Sequence, residues 1–179
     1  MPPDIMSSEL GRVYQKTKAE SRRLTADERK RERQTSLAEW QKKWDTAEKG
    51  RWTHRLITNL PAWIEREHGE TDFYLTQFLS GHGCFREYLY RFGHDDGTGC
   101  SFCNSAAENV EHIFFSCLRY EVERSTIEQL INERMTPDNI VSHMLQSRLV
   151  WAKMKEWAAI ALQELRLKER QRRNERPGE

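Results

Sequence analysis

Cys100-Ser101-Phe102-Cys103, followed by His112 and Cys117, is the stretch on which the reading of this chain turns. Its spacing is C-x2-C-x8-H-x4-C, three thiols and one imidazole within eighteen residues. A two-residue gap lets a tight turn aim two thiolates at one ion, and the second pair closes the shell from across a short loop. Gly97 and Gly99 give a flexible approach to the turn, and Asn104-Ser105 an exit. The pattern reads as a closed structural Zn²⁺ site with Cys100, Cys103, His112 and Cys117 as ligands. A redox CxxC would sit at a strand-to-helix junction of a βαβ unit, and no such pattern flanks this one. Cys84 is the odd thiol, expected to be free and at least half-buried. Cys84 and His94 are the reserve ligands.

Working outward, Glu108 to Phe115 reads as a short helix carrying His112, with Val110, Ile113 and Phe114 turned to a core. Cys117 lies five residues beyond His112, about 500° around an ideal helix, so the helix must end near Ser116 for both to face one ion. Upstream, Thr71 to Leu79 reads as a capped helix with Leu75, Phe78 and Leu79 on one face. Phe85, Tyr88, Leu89 and Phe92 recur at helical spacing and are expected in the core. The turn at His94-Asp95-Asp96-Gly97 is expected to be solvated. Pro61 opens a short helix at the position proline tolerates. Between Ser8 and Lys49 the chain is helix-forming and charged, with Thr25 and Glu28 in capping-box register. Only Leu37, Trp40 and Trp44 keep helical spacing there, so the rest of this segment is expected to project into solvent. A long helix from Ser147 buries Leu149, Val150, Trp151, Met154, Trp157, Ala158, Ala161, Leu162 and Leu165.

The predicted fold is therefore mainly α: a small helical domain around one CCHC knuckle, flanked by long charged terminal helices. The expected divisions are a charged extension over 1–49, a knuckle region over 50–120, C-terminal helices over 121–167 and a disordered tail over 168–179. Because the knuckle loop has little apolar area of its own, losing the metal is expected to unfold 95–120 and spare the terminal helices.

Charged residues make up 32% of the chain and mean hydropathy is −0.88, which leaves no room for one apolar core throughout. Net charge is +1, but its distribution is uneven. Arg12 to Arg33 holds nine basic residues against four acidic, and Asp95 to Asp138 three against nine. No apolar run approaches the ~20 residues of a membrane span, and no secretory leader is visible. The chain is thus expected inside the cell, in nucleus or cytoplasm, where reduced thiols favour metal over disulfide. Neither a nucleophile elbow nor a phosphate loop appears, and three cysteines with one histidine leave zinc no open position. No catalysis and no small-molecule substrate are expected.

Arg51-Trp52-Thr53-His54-Arg55-Leu56-Ile57, the run from Phe73 to Phe85, Tyr88-Leu89, Arg91-Phe92 and Glu111-His112-Ile113-Phe114-Phe115 together resemble one family. It is the C-terminal region of LINE-type (non-LTR) retrotransposon reverse transcriptase polyproteins, in the branch common in insects. The resemblance covers roughly 37 to 120 and implies a zinc knuckle that binds nucleic acid during target-primed reverse transcription. It also implies partners in RNA or DNA and in the parent polyprotein's endonuclease and reverse transcriptase, whose motifs this stretch lacks. The chain then reads as a fragment. Where the family often has proline beside the knuckle cysteines, this chain has Ser101 and Leu118. Between Cys100 and Cys117 there is no Lys or Arg, so phosphate charge must be met by Arg51, Arg55, Arg66 and the flanking helices, the basic N-terminal one above all, with Trp52 or His54 to stack on bases. The alternative is a zinc-stabilised structural or protein-docking domain that binds no nucleic acid.

Overall fold

Thr25 and Glu28 cap one another, and that exchange starts the second helix. The Thr25 hydroxyl accepts from the Glu28 backbone N–H at 3.3 Å, while the Glu28 carboxylate accepts from the Thr25 N–H at 2.7 Å. In the computed structural model, which describes residues 1–175, α1 spans Pro3–Glu20 and α2 spans Ala26–Thr46. Ser21, in the left-handed region at φ 51, closes α1, and the two helices pair as a hairpin. The first helix is therefore packed and does not project alone into solvent. Its adhesion is largely ionic, which apolar spacing could not reveal. Arg12 reaches Glu32 at 2.9 Å and the Ser36 hydroxyl at 2.6 Å, and Lys16 holds the other oxygen of Glu32. Ile5, Leu24 and Leu37 bury beside them.

Two short helices complete this first unit, α3 (Arg51–Leu56) and α4 (Leu60–Ile64). Trp44 donates its indole N–H to the Ile57 carbonyl at 2.7 Å. Gln41 ties the loop twice, donating to the Thr58 carbonyl at 2.9 Å and accepting from the Leu60 N–H at 2.8 Å. These side chains draw 50–66 into the unit Met1–Arg66, where the sequence pattern had grouped it with the knuckle.

The second unit begins at Glu67. Its spine is α10 (Arg148–Glu175), on which α5 (Phe73–Ser80), α8 (Glu121–Ile131) and α9 (Ile140–Gln146) pack; α6 (Arg86–Arg91) precedes the knuckle loop and α7 (Val110–Phe115) carries its His112. Along α10, Val150, Trp151, Met154, Trp157, Ala158, Ala161, Leu162 and Leu165 are buried, as their spacing predicts, whereas Leu149 is exposed. Phe114 stands between Phe78 and Trp157, with ring centroids 4.6 and 5.0 Å away, so α7 is pinned to both α5 and α10. Gly69, at φ +87, lets the backbone pass the Trp151 ring where a Cβ would lie 2.3 Å from it. Phe85 is fully buried, but Tyr88 and Leu89, expected in the core, are only half-buried, and Phe92 is 55% exposed because α6 ends at Arg91 and the next residue leaves the helical register. The helical run also continues past 167 to Glu175, aided by the Glu164–Lys168 pair one turn apart, where a tail from 168 was expected to be disordered. Residues 176–179 of that expected tail lie outside the described residues. Among the described residues there is no strand, and no helix is long and apolar enough to cross a membrane.

Candidate metal centre

Two local devices bring the four donors together. On the first side, the Cys100 N–H donates to the Ser105 carbonyl at 2.9 Å, closing a turn whose left-handed position is Asn104 at φ 55. Gly97 and Gly99 serve by close approach and not by special dihedrals: an added Cβ would meet an Arg86 nitrogen at 3.0 Å and the Ser105 carbonyl at 3.3 Å. On the second side, Asn109 caps α7 by accepting from the His112 N–H at 2.8 Å. The helix stops at Ser116, and the Cys117 N–H turns back to the His112 carbonyl at 2.7 Å. That backward bond absorbs the angular mismatch between His112 and Cys117.

The four donor atoms lie within 4.8 Å of one another. Cys100 Sγ and Cys117 Sγ are 3.9 Å apart, and Cys103 Sγ is 3.1 Å from His112 Nε2. A tetrahedral ion with metal–sulfur bonds near 2.3 Å sets a sulfur–sulfur edge of about 3.8 Å, so the cluster fits such an ion. Cys100 and Cys117 are buried, while Cys103 and His112 are half-buried. Burial pushes the Cys117 thiol up to about 12, so its thiolate needs a cation beside it. Desolvation also acts on Cys103, but the Ser105 N–H and the neighbouring thiols outweigh it and bring that thiol below its ordinary value. Burial and then Arg124 lower His112, keeping the imidazole neutral and able to donate a lone pair. Cys84 and His94 stand outside the cluster, lining a separate cavity with Leu162.

Behind the turn lies a charge network that spacing did not reveal. Arg86 donates to Asp95 at 3.0 Å, to Asp96 at 3.0 Å and to the Gly99 carbonyl at 3.0 Å, so one side chain grips the loop leading into the site. Arg172, far along α10, meets the other Asp95 oxygen at 3.1 Å. Asp95 is thus a buried anchor with a side chain 1% exposed, while His94 and Asp96 on either side of it are exposed, as the turn was expected to be. Although desolvation opposes ionisation, Arg86 and then Asp96 and Arg172 hold the Asp95 carboxyl down to about 2. Glu108 is fully buried without a hydrogen bond to its carboxylate, and burial pushes that carboxyl up against the pull of Arg172 and Arg119. Its backbone joins the loop, donating to the Thr98 carbonyl and accepting from the Glu87 N–H at 3.2 Å. The only signal for this network in the sequence was the Asp95-Asp96 pair itself.

No protein-family model matches the chain, and no solved structure does. Curated relatives do. Over 118 residues it is 28% identical to the Retrovirus-related Pol polyprotein from type-1 retrotransposable element R1 2 of Nasonia vitripennis, covering 66% of this chain and 28% of that protein. The R1 Pol polyprotein of Bradysia coprophila is 34% identical over 82 residues, 46% of this chain and 8% of the relative. That of Popillia japonica is 28% identical over 128 residues, 70% of this chain and 50% of the relative. The chain is homologous to insect R1 Pol polyproteins. It spans half the length of these relatives or less.

The residues expected to meet nucleic acid fall in the first unit of this R1-like chain. Arg51 donates to the carbonyls of Asp45 at 3.2 Å and Ala47 at 3.0 Å, capping the C-terminus of α2. His54 lies between Asp45 and Arg51, 3.0 Å from each, with its ring 5.9 Å from that of Trp44. Arg66 lies 4.4 Å from the centre of the Trp63 ring. Trp52 and Arg55 are half-buried on α3.

Proposed function

We propose that this chain is the C-terminal zinc-knuckle region of an R1-type Pol polyprotein, a non-catalytic module that binds RNA or target DNA during target-primed reverse transcription. The observation that carries the reading is the four-donor cluster of Cys100, Cys103, His112 and Cys117 in a chain homologous to Pol polyproteins. Its donor set suits Zn²⁺, which supplies the charge that lets three thiolates share one buried site. The chain's own residues then do the positioning: Asn109 orients α7, Asn104 shapes the turn, and Arg86 holds the approach. Three thiolates against a divalent ion leave the knuckle net negative, so phosphate neutralisation falls to arginines elsewhere. In the first unit these are Arg51, Arg55 and Arg66 beside Trp52 and His54, with Arg51 and His54 also holding the α2–α3 junction. The parent polyprotein's catalytic domains are the proposed protein partners, and the nucleus or cytoplasm is the proposed compartment.

The test is binding of labelled RNA and DNA to the zinc-loaded chain across salt concentrations. Phosphate contacts predict that log affinity falls steeply with log salt, by about 0.7 to 0.9 per contact. Association with polyprotein domains and no nucleic-acid binding at low salt would favour a docking module instead.

A further inference from the structure

In the second unit, two concavities flank the exposed ring of Phe73. One, of about 570 Å³, opens between α5, the end of α6 and the C-terminal half of α10, and Tyr74, Leu89, His94, Arg166 and Arg173 help to line it. The other, of about 560 Å³, continues past Thr76, Ser80, His82 and Tyr88. Phe73 and Gln77 border both, so the two concavities adjoin at the Phe73 side chain and together form a groove.

Its walls have a composition that a folded core does not explain. Phe73 is 60% exposed on a strongly hydrophilic chain, and Phe92, just outside the lining, is 55% exposed. Tyr88 has its ring 5.1 Å from His82 and 5.0 Å from Phe92, and the Arg91 guanidinium lies 5.3 Å from the centres of both the Tyr88 and Phe92 rings. On the opposite wall, α10 changes character. After Leu162 its groove-facing positions are Arg166, Glu169 and Arg173, with Glu169 the one carboxylate among the lining residues. Arg166 and Arg173 lie two turns apart, roughly 10 Å along the axis, and among the described residues neither engages in a hydrogen bond or ion pair. Arg172, between them in sequence, is drawn inward to Asp95 instead.

We infer that this groove is a binding site for single-stranded nucleic acid, with Arg166 and Arg173 on backbone phosphates and Phe73, assisted by Tyr88, stacking on unpaired bases. Charge complementarity selects an anionic occupant, because two unengaged guanidiniums would be desolvated uselessly under an apolar protein segment. Exposed ring faces select unpaired bases, because paired bases hide their faces within the duplex stack. The assignment rests on the nucleic-acid-binding reading above, and it adds to the first unit's arginines a contact surface in the second unit, apart from the acidic knuckle.

Fluorescence anisotropy of the zinc-loaded full chain with a labelled fifteen-nucleotide oligodeoxythymidylate, and with a fifteen-base-pair duplex for comparison, tests it. Phe73→Ala should weaken single-strand binding about tenfold, within the range of one lost stacking contact, and Phe73→Trp should retain it. Arg166→Ala with Arg173→Ala should weaken it further and reduce the salt slope by about 1.4, two contacts at about 0.7 each. Circular dichroism should show unchanged helicity, since all three side chains are on the surface. Wild-type affinity in the groove variants, with loss in Arg51→Ala/Arg55→Ala, would overturn the groove and leave the nucleic-acid reading standing. A wild-type chain that binds neither oligonucleotide at low salt would overturn both.

Discussion

Cys103 and Cys84 differ in fate although both are half-buried thiols. Cys103 has three donor partners within reach of one ion; Cys84 lines a cavity where burial, and then Glu169, raise its thiol. Cys103→Ser should therefore abolish stoichiometric zinc, while Cys84→Ser should retain one equivalent by metal analysis after purification without added metal. A full equivalent in the Cys103 variant would remove the assignment. Asp95 is the other residue with a disproportionate role. Asp95→Asn leaves Arg86 and Arg172 facing a neutral amide, and the second unit should lose about 3–5 kcal/mol in urea unfolding near neutral pH. The carboxyl is depressed from 3.8 to about 2, so its ionic contribution is full above about pH 4 and is lost as pH falls toward 2. The gap between wild type and variant should narrow over that window and stay constant from pH 5 to 8.

At the scale of elements, the α2–α3 junction shows how a candidate contact residue can be a structural one. Arg51 places its guanidinium on the last carbonyls of α2, where a cation also complements the helix dipole. Arg51→Ala should lower the stability of the first unit by about 1 kcal/mol, measured by urea unfolding of the chain. Any loss of nucleic-acid binding in that variant must be compared with Arg55→Ala before it is assigned to a phosphate contact. An Arg51→Ala protein of unchanged stability would show that the cap contributes nothing and return Arg51 to a purely surface role.

For the whole molecule, the bonds from the knuckle to α10 change what metal removal should do. Tyr120 donates to Glu164 at 2.8 Å, Asp95 holds Arg172, and Phe114 packs on Trp157. Chelation should then remove amide-exchange protection from α6 through the Leu118–Tyr120 turn and from α10 beyond Trp157. The Met1–Arg66 unit, with its own Glu32-centred ion cluster, should keep its protection. Loss confined to 95–120, the expectation from the sequence, would mean that these side-chain bonds contribute little. Simultaneous loss in both units would mean that they fold as one.

Much of this protein was legible without coordinates, because its strongest signals are local. The C-x2-C-x8-H-x4-C spacing picked out the four side chains that cluster, Thr25 and Glu28 marked a helix start, and the apolar stripe of α10 marked its buried face. Each depends on residues within a few turns of one another. What needed the tertiary structure is what depends on pairs distant in the chain. Asp95 became a buried anchor only because Arg86 and Arg172 converge on it across 9 and 77 residues. The α1–α2 hairpin closed through Arg12 and Glu32, twenty residues apart, where apolar periodicity is too sparse to show a packed face. Phe92 and Phe73 stand in solvent because α6 ends at Arg91 and α5 begins at Phe73, and helix ends turn side chains away from the face that their spacing suggests. Periodicity identifies a face within one helix; charge pairing and helix ends decide which face meets another element and which is left for a ligand.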